Sequence, residues 1–174
     1  MIKLQSYSTA FLKNNGHVLL IKRSPNKKVA PGVWSGVGGG MESYEFDNPC
    51  EACYREIEEE SGIQRSDIQS LSLLYVIVRR WQKHEIRQNY VYFGDTSKTT
   101  LAQTDEGTLH WVPEEEWLNA SESKLFNREY TQTFAAMLKH YAARDPQDKA
   151  VYVGVAGNNN GKLTMTWTRC EDFE

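Results

Sequence analysis

Residues 55–63 read Arg55-Glu56-Ile57-Glu58-Glu59-Glu60-Ser61-Gly62-Ile63, with four glutamates inside five positions. On a helix, like charges three and four residues apart each cost roughly 0.2–0.5 kcal/mol. Glu56 stands at i,i+3 from Glu59 and at i,i+4 from Glu60, so three acids crowd one side. A divalent cation turns that repulsion into binding. Hard oxygen ligands without a His or thiolate partner favour Mg²⁺, with Mn²⁺ as the alternative. Just upstream, Gly38-Gly39-Gly40-Met41-Glu42-Ser43-Tyr44-Glu45 offers a glycine turn whose bare backbone can approach phosphate or metal closely. The chemistry suited to these parts is attack of water on phosphorus in a diphosphate linkage.

Placed on a wheel at about 100° per residue, residues 48–62 separate into arcs. Cys50, Cys53, Tyr54 and Ile57 form the expected buried stripe, and Glu56, Glu59 and Glu60 lie beside it. Glu51 and Glu58 fall on the solvated side. A random glutamate triplet is most simply a solvated face. Here the acids border the apolar arc and follow a glycine turn, which favours a site. Asn48 and Pro49 provide an N-cap and a first helical residue, and Gly62 a C-terminal stop.

These residues resemble the Nudix box, G-x5-E-x7-R-E-U-x-E-E-x-G-U with U a bulky aliphatic residue. Arg55 to Ile63 matches its second half at every specified position, and Gly39-x5-Glu45 matches the first half. Nine residues separate Glu45 from Arg55 where the pattern has seven. Glu45 with a two-residue insertion around Phe46-Asp47 is preferred over Asp47, which would put Met41 at the glycine position. The resemblance implies that Glu56, Glu59 and Glu60 hold the metal directly or through water, joined by the Gly38 carbonyl. It implies that Arg55 orients the glutamates; Gly39 and Gly40, bare of side chains, are candidates to meet substrate, and Glu42 matches a recurrent glutamate that either contacts substrate or only fixes the loop. A further acid outside the box often binds metal or serves as base in this family. Glu106, in Thr104-Asp105-Glu106-Gly107, sits where MutT-like members carry one; a solvated loop acid is the competing reading. The resemblance covers roughly residues 6–143 and implies an α/β/α sandwich with a mixed sheet.

Arg23, at the end of a strand, is the first candidate for substrate phosphate, with Lys22 weaker. Arg79 and Arg80 are further candidates against a plain surface role. Tyr75, Tyr90, Tyr92 and Trp34 could stack on a base, although strand aromatics are mostly core. His17, His84 and His110 show neither triad nor metal spacing. Cys50-x-x-Cys53 lacks a second pair to complete a metal or redox site and reads as core packing. Cys170 is uninformative.

The elements that must position these groups follow from patterning. Ser6–Lys13 and His17–Arg23 read as strands around an Asn-Gly turn, Ser24–Gly32 as a loop, and Val33–Val37 as a short strand entering the glycine turn. Leu71–Trp81, Arg87–Phe93 and Leu109–Val112 read as strands, and Pro113 opens an acidic helical turn. Asn127–Ala143 has helical spacing with Phe134, Met137, Leu138 and Tyr141 apolar. Ala150–Val155 and Leu163–Thr168 flank Gly157-Asn158-Asn159-Asn160-Gly161 as a terminal hairpin. We expect one domain over residues 1–146, with residues 147–174 a hairpin extension that lengthens a sheet or supports a homodimer.

The 174-residue chain is 40% hydrophobic and 25% charged, ordinary for a globular protein. A net charge of −3 without a basic block argues against a dedicated nucleic-acid binder. No signal-like or membrane-spanning run is present, so a cytoplasmic home is expected. The leading expectation is a Mg²⁺-dependent pyrophosphohydrolase, with the Lys22-Arg23-Ser24 to Trp34 stretch leaning towards nucleoside triphosphates in the MutT-like manner. ADP-ribose or a dinucleotide polyphosphate is the alternative. An isomerase of the isopentenyl diphosphate type would need a catalytic cysteine. A non-hydrolytic nucleotide sensor would more commonly have lost box carboxylates.

Overall fold

The computed structural model describes residues 1–27, 30–118 and 130–171. In chain order, β1 (Lys3–Asn14), β2 (His17–Arg23), β3 (Trp34–Ser35) and β4 (Val37–Gly40) precede helix α1 (Pro49–Ser61). Strands β5 (Ile68–Trp81), β6 (Glu85–Thr96) and β7 (Gly107–Pro113) follow, then helices α2 (Glu114–Leu118) and α3 (Gln132–Ala143). The hairpin β8 (Tyr152–Asn159) and β9 (Lys162–Arg169) ends the described chain. The mixed sheet runs β3-β2-β1-β6-β5-β8-β9, with β4 also on β1 and β7 also on β2. The β1–β6 and β5–β8 pairs are parallel and the others antiparallel.

Strand alternation divides the core between two faces of this sheet. Ala10, Leu12, Leu19 and Tyr92 pack with Cys53 and Ile57 of α1. Phe11, Val18, Leu20, Val91 and Phe93 pack with Trp117 of α2 and Met137 and Leu138 of α3. The result is an α/β/α sandwich carrying a C-terminal hairpin on β5. Ile57 is fully buried, a burial that contributes roughly 1.5–3 kcal/mol and anchors the acidic helix.

Both Asn-Gly turns take the left-handed conformation that two-residue hairpins require. Asn15 and Gly16 have φ of 45° and 74°, and Asn160 and Gly161 have 51° and 83°. Gly62 ends α1 at φ 71°, its N–H donating to the Glu58 carbonyl at 2.9 Å.

Four expectations are corrected. The Gly38-Gly39-Gly40 run is strand, paired with Tyr7 to Thr9 of β1; the turn comes after it, in a 3₁₀ segment at Ser43–Glu45. The expected Val33–Val37 strand breaks at Gly36, β3 pairing with β2 and β4 with β1. A side chain at Gly36 would meet the Ala10 carbonyl at 2.4 Å, so only glycine lets the chain change partners there. Tyr54 leaves the buried stripe and lies under Arg65, whose guanidinium is 4.2 Å from its ring centre; Ala52 takes the buried place. Helix α3 starts at Gln132 because Thr131 caps it, its Oγ1 accepting from the Phe134 N–H at 3.4 Å. Residues 127–129 of the expected helix lie outside the described residues.

Candidate active site

Close packing on β4 requires glycine at two positions, Gly39 against α1 and Gly38 against β1. A side chain on Gly39 would come within 2.4 Å of Glu56 Oε2, and one on Gly38 within 2.2 Å of the Ser8 carbonyl. Gly38 also has φ 150°, and its N–H donates to Glu60 Oε2 at 2.7 Å. Gly40 meets no such crowding.

Arg55 organises the acids. Its Nε and Nη2 fork onto both oxygens of Glu45 at 2.8 and 2.9 Å. Its Nη1 donates to Glu56 Oε1 at 2.8 Å and Glu59 Oε2 at 3.0 Å, and Nη2 reaches the Gly40 carbonyl at 3.1 Å. Glu45 is buried whereas Asp47 is exposed, so the box acid facing Arg55 is Glu45. The inserted Phe46-Asp47 form the turn after the 3₁₀ segment, closed by the Asn48 N–H donating to the Glu45 carbonyl at 2.9 Å; within the segment Glu42 and Glu45 cap each other reciprocally. Glu42 thus fixes the loop while lining the cavity.

The charges respond to this packing. Arg55 holds the Glu45 carboxyl below its usual range. Burial pushes Glu56 up despite Arg55. Glu60 is pushed up to about 7, by burial first and by the charges of Glu56 and Glu106, against the Gly38 N–H. Strained carboxylates of this kind mark functional sites.

Among the described residues, no three acidic, His or Cys groups converge as a ready-made metal cage; the Arg55 guanidinium stands among them. The donor set nevertheless fits a hard cation. Glu56, Glu59 and Glu60 each use one carboxylate oxygen in the hydrogen bonds above, and all three face the same cavity of 660 Å³. Oxygen-only donors of this type suit Mg²⁺ or Mn²⁺.

Arg23 and Glu106 line the same cavity, close enough to Glu60 for both charges to act on it. Glu106 accepts from Lys27 Nζ at 2.6 Å and pairs with Arg23 Nη2 at 3.4 Å. Arg23 Nε is buried with no hydrogen-bond partner among the described residues, a donor suited to a phosphate oxygen. Arg79 lines the far end of the same cavity. Arg80 turns away to the Lys83 carbonyl at 2.9 Å. Tyr75, Tyr92 and Trp34 are core residues. Cys53 is buried, and burial raises its thiol and that of Cys50, opposite to what a nucleophilic cysteine needs. Tyr7, Thr9, Arg87 and Asn89 also line the cavity, and Lys27 holds Glu106; sequence reasoning missed them because only strand register and loop closure bring them there.

A family model described as the NUDIX domain matches residues 4–134. The chain belongs to the Nudix family. It is a Nudix-type hydrolase, in a family acting on nucleoside diphosphates linked to another moiety. Its fold is similar to a MutT protein from Bacillus halodurans, with 17% identity, 94% of this chain and 97% of that one covered, and a TM-score of 0.69. A MutT NUDIX hydrolase from Burkholderia pseudomallei gives 23% identity over 79% and 97% of the two chains, with a TM-score of 0.60. The NUDIX domain of Shewanella oneidensis NrtR, solved in complex with ADP ribose, gives 13% identity over 81% and 86%, with a TM-score of 0.58. No helix among the described residues is long and apolar enough to cross a membrane.

Proposed function

We propose that this Nudix chain is a Mg²⁺-dependent pyrophosphohydrolase that cleaves a nucleoside diphosphate linked to another moiety. Nucleoside triphosphate, yielding monophosphate and pyrophosphate, is the first substrate class to test, with ADP-ribose or a dinucleotide polyphosphate as alternative. The observation that carries the reading is the convergence of Glu56, Glu59 and Glu60 on one cavity that Arg23, with its unsatisfied Nε, also lines.

When bound, Mg²⁺ supplies phosphate charge neutralisation and lowers the pKa of water. Glu56, Glu59 and Glu60 would hold it, beside Gly38. Arg55 holds Glu56 and Glu59 in place and leaves substrate to others. Arg23 donates to phosphate oxygens, positioning the linkage to be cleaved. Glu106, held by Lys27, stands near Glu60 and is the candidate to accept a proton outside the box. A sensor that binds without cleaving is the second reading; the NUDIX domain of Shewanella oneidensis NrtR, similar in fold, was solved in complex with ADP ribose.

The test is Mg²⁺-dependent turnover across nucleoside triphosphates, oxidised purine triphosphates, ADP-ribose and dinucleotide polyphosphates. Turnover of one class, lost by about 10²-fold or more in Glu59→Gln, supports the hydrolase. Binding without turnover in Mg²⁺ or Mn²⁺ would leave the sensor.

A further inference from the structure

The floor of the cavity beyond the carboxylates is the α3 face of the central strands. Tyr7 and Thr9 of β1, Asn89 and Arg87 of β6, and Ile77 and Arg79 of β5 all line it. Cross-strand register places Asn89 beside Tyr7 on one side and Ile77 on the other, and sets Arg87 directly opposite Arg79. Like charges directly opposite on one sheet face are destabilising, so this pair needs compensation.

Only part of that compensation is internal. Arg87 pairs with Glu85 at 2.5 Å, its side chain 14% exposed. Arg79 makes no ion pair among the described residues. The two guanidiniums instead lie 4.9 and 4.4 Å from the Trp81 ring centre, and Arg87 lies 5.7 Å from that of Tyr7. Aromatic packing holds them in place; Arg87 Nε donates to Glu85, and the Arg87 Nη groups and the Arg79 guanidinium are left to donate elsewhere. Burial and the neighbouring Arg87 charge make the charged form of Arg79 harder to keep, so a bound anion would relieve a real cost.

The two arginines stand on strand positions well removed from the glycines and the carboxylate helix. Counting strand spacings and residue rises from Gly39, the Cα of Arg87 is about 14 Å off and that of Arg79 about 17 Å. At those backbone distances the two side chains reach a different part of the cavity from the one that Gly39 and α1 border. We infer that Arg79 and Arg87 form a second anion subsite, selecting substrates that carry a phosphate or carboxylate remote from the diphosphate that is cleaved. This assignment rests on the pyrophosphohydrolase reading and moves the preferred substrate away from plain nucleoside triphosphates. Asn89, hydrogen-bonded to Thr9 Oγ1 at 3.2 Å, lies between the two anion sites and is positioned to contact the linking sugar or base.

The test compares ligand pairs that differ by one remote anion, using calorimetric titration with Mg²⁺ present. NADH against NADPH and 3′-dephospho-coenzyme A against coenzyme A probe a ribose phosphate. UDP-glucose against UDP-glucuronate probes a sugar carboxylate. The expected result is tenfold or tighter binding of the anionic member in at least one pair, which identifies the source of the anion. That preference should fall to twofold or less in Arg79→Gln and Arg87→Gln, and be partly retained in Arg79→Lys. Equal binding within every pair, no binding at all, or a preference that survives both glutamine variants would overturn the assignment. Melting curves confirm that the variants are folded. Hydrolysis of the same compounds is scored separately: preference without turnover removes the enzyme reading and leaves the anion subsite standing, and turnover without preference does the reverse.

Discussion

Arg55 spends all five of its N–H donors inside the protein, on Glu45, Glu56, Glu59 and the Gly40 carbonyl. A group so saturated is a scaffold, and Glu45 is its anchor. Glu45→Gln leaves a charged guanidinium short of its bidentate partner, so we expect a loss of about 1.5–3 kcal/mol. Asp47→Asn, at an exposed position, should stay within about 0.5 kcal/mol. Chemical denaturation of both variants checks this, and equal effects would contradict the assignment of Glu45 as the box acid. Gly39→Ala tests the same scaffold from the other side. Its Cβ would sit against Glu56 Oε2, and displacing that carboxylate by about an ångström should cost about 10²-fold in kcat. Wild-type steady-state rates in Gly39→Ala would show that Glu56 need not stay where it is.

Elements defined by local chemistry were legible in the sequence. Strand β2 spans His17–Arg23 as its pattern predicts, because an Asn-Gly turn fixes one end. The terminal hairpin follows from Asn160-Gly161 in the same way. Strands β1 and β6 run longer than their apolar cores because they pair with each other in parallel across most of their length, a non-local contact no window detects. The wheel of α1 found Cys53 and Ile57 but could not show Glu56 and Glu60 as buried, since it has no record of the glycine strand packed against them. The same limit hid Arg87 and Asn89. Helix α3 adds a group the sequence left unmarked. His140 accepts or donates a hydrogen bond with the Tyr75 hydroxyl at 3.0 Å and packs on the rings of Tyr152 and Trp167. Burial, with Arg144 nearby, lowers its pKa. The folded state therefore favours neutral His140, and the unfolded chain takes up the proton first as pH falls through about 6.5. Stability should drop on acidification from pH 7 to 5.5, and His140→Gln should flatten that part of the melting-temperature profile. An unchanged profile would mean that His140 is protonated without penalty.

At the scale of the molecule, the sheet joins the carboxylate site to the cavity floor. Its β4 edge carries the glycines against the carboxylate helix, and its β5–β6 face carries the cavity floor to Arg79 and Arg87. The hairpin β8–β9 closes the outer side by pairing with β5. We propose it as an extension of the same domain, following residues 1–146. One cavity thus runs from a candidate cation site to a cationic floor. The measurement that tests this account most directly is Mn²⁺ titration followed by electron paramagnetic resonance, on the wild-type chain and on Glu56→Gln/Glu60→Gln. The wild type should bind Mn²⁺ saturably and release it to Mg²⁺, and the double variant should lose that binding. Binding that persists unchanged in the double variant would contradict this account, because the cation would then be held somewhere other than the carboxylate helix.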